Sequence, residues 1–342
     1  TEGAYAEFAD DPWSDPGYER PPILDDVDVA LVGAGFGGLL TGARLRELGV
    51  QSIRLIDKAA DVGGTWYWNR YPGIACDVES YVYMPLLEEL GYIPTERYAK
   101  GAEILAHCRR IAEHYDLYRD ALLHTEVHEI RWDADLSRWL ISTDRGDCIR
   151  ARFVSLANGY IHKPKLPGIP GIGEFAGKTF HTSRWDYDYT GEHLEHLADK
   201  RVGIIGTGAT AVQAIPELAK VVGELFVFQR RPNWCAPLHN SKISDEEMAD
   251  IKARYDDYAM VFGVSTYVAE GLRMKKQFSQ AIPEYQTYLR LSYFDSSNMQ
   301  KFLGYHVLGF FLRRGGLCGL IGLFGLGSRR ALGGLLRHEV RR

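Results

Sequence analysis

Val27-Asp28-Val29-Ala30-Leu31-Val32-Gly33-Ala34-Gly35-Phe36-Gly37-Gly38 is the stretch that decides the fold. An apolar run of strand character ends at the first glycine. Residues Gly38 to Leu48 then carry helical spacing (Leu40, Ala43, Leu45, Leu48) and stop at Gly49, a helix-end glycine. Ile53 to Ile56 is the next strand, and it closes at Asp57. The whole is a strand–turn–helix–strand unit, the context in which a glycine-rich turn binds a dinucleotide. A second copy follows, with Gly206-Thr207-Gly208-Ala209-Thr210-Ala211 between the strands Val202–Ile205 and Leu225–Phe228. Asp57 lies 24 positions after Gly33, and Arg230 lies 24 positions after Gly206. That position meets the adenosine ribose. A carboxylate there accepts from free ribose hydroxyls, whereas a guanidinium welcomes a 2′-phosphate. The pair reads as two nucleotides on one protein: FAD or NAD at the first turn, NADPH at the second. The cofactor-binding residues expected are Gly33, Gly35, Gly38 and Asp57, then Gly206, Thr207, Gly208, Ala211 and Arg230.

The apolar and charged fractions are those of a soluble globular protein. The 342 residues suffice for two domains, and the net charge of −5 argues against a nucleic-acid partner. The five cysteines are scattered without a C-x-x-C pair, so neither a zinc site nor a disulfide framework is indicated. A reduced, cytoplasmic setting is the plain expectation. The acidic, Pro-rich start has no signal segment.

Residues 1–25 read as an arm. Residues 26–165 read as the first nucleotide domain: a helix over Glu103–Tyr115, antiparallel strands at Val127–Ile130 and Arg138–Ser142, and a buried strand Phe153–Ala157. A linker over 166–187 leads to a partial second nucleotide domain over 188–260. Residues 261–342 are atypical. No acidic residue occurs between Asp295 and Glu339, and ten glycines fall from Gly304 to Gly334. Such glycine density opposes a stable long helix, and Arg313-Arg314 interrupts any membrane span, so no stable membrane insertion is expected. A loosely packed tail, a basic membrane-surface segment and a shifted reading frame all fit this composition.

Two further stretches carry chemistry. In Gly63-Gly64-Thr65-Trp66-Tyr67-Trp68-Asn69-Arg70-Tyr71-Pro72-Gly73, the glycines permit close backbone approach and the aromatics can wall a flat ring. Asn69, Arg70 and the nearby Asp77 are interleaved with them, which is costly in a plain core. A planar polar heterocycle such as isoalloxazine fits better, and this favours FAD at the first turn. The other stretch is Phe175-Ala176-Gly177-Lys178-Thr179-Phe180-His181-Thr182-Ser183-Arg184-Trp185-Asp186. It resembles the signature of the Baeyer–Villiger monooxygenases, F-x-G-x-x-x-H-x-x-x-W followed by Pro or Asp. Cys76-Asp77-Val78-Glu79-Ser80 and Phe228-Gln229-Arg230-Arg231-Pro232 resemble the same family.

That resemblance covers about residues 5–240. It implies two Rossmann-type dinucleotide-binding domains, for FAD and NADPH, the second inserted in the first. It implies hydride transfer from NADPH to FAD, O₂ activation as a flavin C4a-peroxide, and oxygen insertion next to a ketone carbonyl to give an ester or lactone. By resemblance, Asp77 is catalytic and sits beside both cofactors. Thr65, Trp66, Tyr83 and Val127 contact the flavin nucleotide, and the signature residues Phe175, Gly177, His181, Trp185 and Asp186 form a linker that couples domain movement. Two departures stand out. Asp57 replaces the commoner glutamate, and the family's peroxide-stabilising arginine has no match in the legible part. The chain therefore reads as the N-terminal part of such an enzyme. A flavin N- or S-oxygenase and an inactive nucleotide-binding remnant remain the alternatives.

Overall fold

The computed structural model describes residues 3–159, 161–231, 235 and 237–253. The atypical tail lies outside the described residues. By its contacts the chain divides into two units, residues 1–243 and 244–342.

In the first unit, β1 (Leu24–Val32) leads into α1 (Phe36–Glu47) and returns as β2 (Ile53–Ile56). Two single-turn helices follow, α2 (Thr65–Trp68) and α3 (Ser80–Tyr83), and then α4 (Gly101–His114). The sheet is completed by β3 (Ala121–Leu122), β4 (Val127–Asp133), β5 (Arg138–Thr143) and β6 (Cys148–Leu156). Its strand order is β3-β2-β1-β6-β5-β4. Strands β3, β2, β1 and β6 run parallel, while β5 and β4 are an antiparallel extension.

The pattern of burial explains the layers. β1 starts exposed at Leu24 and ends with Ala30 and Leu31 fully buried, because its second half lies in the middle of the parallel sheet. One sheet face packs Leu31 and Leu55 against Leu39 and Ala43 of α1 and against Cys108 and Ile111 of α4. The other packs Val27, Ala30, Ile56, Ile141, Ile149 and Ala151 together. The strand expected at Phe153–Ala157 is the end of the longer β6, which stops at Leu156, and it is not buried as expected: Phe153 and Leu156 are exposed. Residues 148–152 alternate between exposed and buried, a pattern weaker than the apolar run that follows.

After the linker and the short helix α5 (Tyr187–Thr190), β7 (Arg201–Ile205), α6 (Ala209–Ala219) and β8 (Glu224–Phe228) form a second parallel βαβ unit. Its inner helix face (Ala211, Ala214, Leu218) packs with Trp185, Leu194, Leu197 and Ile204. In the unit 244–342, α7 (Asp245–Ala253) opens with three carboxylates in its first turn. Ser244 caps it by accepting from the Glu247 amide at 3.1 Å. No helix among the described residues is long and apolar enough to cross a membrane.

Candidate nucleotide-binding site

The two glycine turns are the same structure made twice. Gly33 has φ +110° and Gly206 φ +104°, a region open to glycine. Gly35 (φ −79°, ψ −172°) and Gly208 (φ −74°, ψ −177°) each cap the helix that follows. The Gly33 amide donates to Ile56 O at 2.8 Å, and the Gly206 amide donates to Phe228 O at 2.9 Å. At the fifth position after the leading glycine the copies differ. A Cβ on Gly38 would stand 1.8 Å from Gly33 O, so only glycine fits. Ala211 occupies the equivalent place in the second turn and is buried. Each turn thus aims the free amides and positive end of a helix at one point, a ready site for a pyrophosphate.

At the first turn the site extends into a cavity of about 700 Å³. Its wall runs from Gly33, Gly35 and Asp57, past Gly64, Thr65, Trp66 and Tyr83, to Val127 and His128. Leu156, Ala157 and Asn158 close it at the end of β6. The residues that follow β1, β2 and β6 gather because parallel strands deliver their carboxyl ends to one edge of the sheet, and Val127 and His128 join them from the start of β4. Gly64 brings the second glycine pair against the first, since a Cβ there would lie 2.7 Å from Gly35 Cα. Ala34 O accepts from the Gly63 amide at 2.9 Å, which locks the two loops together. Trp66 donates its indole N–H to the Tyr83 hydroxyl at 3.0 Å. Phe36 meets the Tyr83 ring edge-on at 5.6 Å. Burial pushes the Tyr83 phenol up to about 12.

Asp57 is tied into the glycine turn itself. Its Oδ2 accepts from the Ala34 amide at 2.5 Å and its Oδ1 from the Ala59 amide at 2.8 Å. Burial nevertheless raises its pKa above the ordinary carboxylate range, against the pull of those two amides. Each oxygen keeps a second lone pair, so the carboxylate can brace the glycine turn and still accept from two hydroxyls.

Not every expected residue reaches the cavity wall. Gly38 acts beneath the turn, through close packing. Asp77 is exposed, in the bend before α3, and lies outside the wall. There the chain turns away after Cys76, whose amide is fixed to Ala99 O at 3.0 Å. Arg70 also lies outside it. Its guanidinium stacks 4.2 Å over Trp13 and 4.6 Å over Tyr67. Asn69 is buried and donates to Thr65 O at 2.9 Å and to Ile161 O at 3.4 Å. The polar residues among the aromatics are thus consumed by the frame around the cavity. Conversely, His128, Leu156 and Asn158 line the cavity without having been singled out. The signal for them is positional: each lies on or beside a strand of the same sheet.

At the second turn, Thr207 Oγ1 accepts from Gln229 Nε2 at 3.2 Å, and Arg230 is exposed beside it. Gln213 of α6 ties this unit to the first. It accepts from the Tyr71 hydroxyl at 2.8 Å and donates to Ala75 O at 2.9 Å.

The signature segment is built as a packed joint. His181 Nδ1 accepts from the Ser183 amide at 3.1 Å, which places the ring proton of the neutral form on Nε2. Burial, then Arg184, lowers its pKa. Trp185 is buried, donates to Thr190 Oγ1 at 3.1 Å and meets Phe180 edge-on at 5.1 Å. Asp186 caps α5 through the Tyr189 amide at 2.9 Å and pairs with Lys178 at 2.6 Å. Burial pushes Asp186 up, but Lys178 and that amide together hold it below its ordinary value. Gly177 lies under the ring of the exposed Phe175, which would have to turn aside to admit a Cβ.

Residues 30–268 match the pyridine nucleotide-disulphide oxidoreductase family. The chain belongs to that family. Among curated proteins it is 61% identical over 244 residues to neopentalenolactone D synthase of Streptomyces avermitilis, covering 70% of this chain and 41% of the relative. It is 56% identical over 238 residues to a Baeyer–Villiger monooxygenase of Streptomyces coelicolor, covering 68% and 40%. The chain thus spans about two-fifths of the length of the curated relatives it matches. Among solved structures it resembles the polycyclic ketone monooxygenase of Thermothelomyces thermophila, with TM-score 0.67, 45% identity, and coverage of 70% and 41%. It also resembles OTEMO complexed with FAD and NADP, with TM-score 0.62, 37% identity, and coverage of 69% and 44%. The resemblance read from the signature segment is confirmed by these relatives.

Proposed function

We propose that this chain is the cofactor-binding part of an FAD- and NADPH-dependent Baeyer–Villiger monooxygenase that inserts one oxygen atom of O₂ beside a ketone carbonyl. One observation carries the reading. The same glycine turn is built twice, once ending at a carboxylate and once at a guanidinium. In this reading residues 26–165 hold FAD and residues 188–260 contribute to the NADPH site, joined by the signature linker at 166–187. The substrates are a small-molecule ketone and O₂.

The residues fit FAD. The cavity's length runs from Val127 and His128, suited to adenine, through Asp57 and the glycine turns, suited to ribose and pyrophosphate, to an aromatic wall. Backbone approach is open at Gly33, Gly35 and Gly64. When bound, FAD would accept hydride from the nicotinamide and activate O₂. The chain's own residues do the rest. The α1 amides neutralise the pyrophosphate, Asp57 orients the ribose, and Phe36, Trp66 and Tyr83 hold the ring plane and exclude water. Thr207, Gly208 and Ala211 offer the second pyrophosphate the same cradle, and Arg230 selects the 2′-phosphate. Asp77, exposed in the protein alone, is proposed to act at the nicotinamide side of the flavin. Protein prepared with added FAD should keep a yellow chromophore through gel filtration. A colourless protein that takes NAD at the first turn would overturn the assignment. Turnover of a cyclic ketone to lactone, set against an amine, separates this reading from an N-oxygenase.

A further inference from the structure

Arg184 lies inside the signature segment, beside Trp185, and is only 7% exposed. A buried guanidinium normally meets a carboxylate. The partners of this one are backbone carbonyls, together with the Ser183 hydroxyl at 3.5 Å. Its Nε donates to Asp10 O at 3.1 Å, Nη1 to Ser183 O at 2.9 Å, and Nη2 to His162 O at 3.2 Å. Its Cζ stands 4.4 Å over the ring of Trp68. Four separate stretches of chain therefore converge on one side chain: the N-terminal arm, the aromatic segment after Gly64, the strand exit at His162 and the signature segment itself. Two of these partners, Trp68 and His162, line the cavity. The arm is anchored next door, where Asp11 Oδ2 accepts from the Tyr67 hydroxyl at 2.6 Å and from the Ala60 amide at 3.0 Å.

We infer that Arg184 is the positioning residue through which the signature segment fixes the cavity wall, holding Trp68 and His162 in place together with the arm. The planar five-donor fork is what this role requires. A lysine has no plane to stack on Trp68 and cannot reach three divergent carbonyls at once. Any shift of the signature segment then reaches the cavity as one movement of Trp68 and His162. The inference rests on the reading that the cavity takes FAD, but its first test does not need the cofactor.

The test compares the full chain with Arg184→Lys, which keeps charge, and Arg184→Met, which keeps bulk. Amide hydrogen exchange of the protein without FAD should rise about tenfold together over residues 10–13, 66–69 and 161–163. Exchange in β1, β2 and α4 should be unchanged. FAD titrated against the same proteins should bind about tenfold more weakly to both variants. If Arg184→Met fails to fold, Arg184→Lys alone decides the question. Exchange rising only within residues 182–186, or a lysine variant indistinguishable from the parent in both measurements, would overturn the inference. A parent protein that takes no FAD would sink the cavity's assignment instead, and the exchange pattern would still decide the role of Arg184.

Discussion

Replacing Gly35 with alanine separates binding from folding at the first glycine turn. Gly35 lines the cavity and caps α1 with φ −79° and ψ −172°, a conformation any residue adopts. A Cβ built there meets only the backbone of Gly64, with Cα at 3.4 Å, an ordinary contact. The folding cost is thus confined to the poorer capping of alanine, about 0.5–1 kcal/mol. For a unit of this size that lowers Tm by about 1–4 °C. The methyl group, however, stands where the pyrophosphate must approach the α1 amides. Loss of even one charge-assisted hydrogen bond there costs about 1.5–3 kcal/mol, or roughly tenfold to a hundredfold in FAD affinity. Gly38→Ala supplies the contrast. Its Cβ would lie 1.8 Å from Gly33 O, so the helix must move off the strand and stability should fall by about 3 kcal/mol or more. Thermal unfolding without FAD and flavin titration on both variants make the test. Undiminished FAD binding by Gly35→Ala would show that the turn is not the cofactor cradle, and equal losses of stability in the two variants would refute the packing contrast.

If the Arg230 guanidinium serves only the 2′-phosphate, as proposed, Arg230→Ala should weaken NADPH binding about tenfold to a hundredfold and leave NADH nearly unchanged, as measured by titration of the FAD-loaded protein. Equal loss for both nucleotides would assign Arg230 a structural part. Stability should also fall on acidification through His107, which is fully buried between Pro85 O at 2.7 Å and Arg110 at 3.1 Å. Burial, then Arg110, lowers its pKa, so the unfolded chain binds the extra proton: stability is complete above the ordinary value of 6.5 and declines as pH falls below it, by up to about 1.4 kcal/mol per pH unit. Urea unfolding at pH 7.5 and 5.5 should show the decline, and His107→Gln should flatten it. A decline of unaltered slope in that variant would place the titration elsewhere, at His124, His162 or His181, whose pKa values are lowered in the same direction.

The two βαβ units were legible because glycine, apolar run and terminal charge lie close together in sequence and each has one local cause. The cavity's far wall was not, because its members meet only after the sheet forms. His128 reaches the cavity from β4, at the sheet edge opposite β3, and Asn158 from the exit of β6, while Val127 beside His128 was expected only through the family resemblance. No local pattern encodes that meeting. The strand order does, and strand order is a property of the whole chain.

The polar residues among the aromatics show a subtler failure of local reading. Asn69 and Arg70 were expected at the ring because polar groups in an apolar cluster need partners. The premise holds, but the partners are protein. Asn69 bonds two carbonyls, and Arg70 stacks on Trp13, a residue of the arm that reads as mere loop. Arg184 follows the same rule from the other side of the joint. The arm thus supplies what the aromatic segment lacks: Asp11 for Tyr67, the Asp10 carbonyl for Arg184 and an indole for Arg70. Its acidic and aromatic composition is complementary to one specific patch. If the arm did no more than cover that patch, removing residues 1–15 would cost stability alone. If it completes the frame that holds Trp68, the same deletion must also lower FAD affinity, in step with the Arg184 variants. Comparing the two sets of dissociation constants distinguishes a cover from a working part of the site.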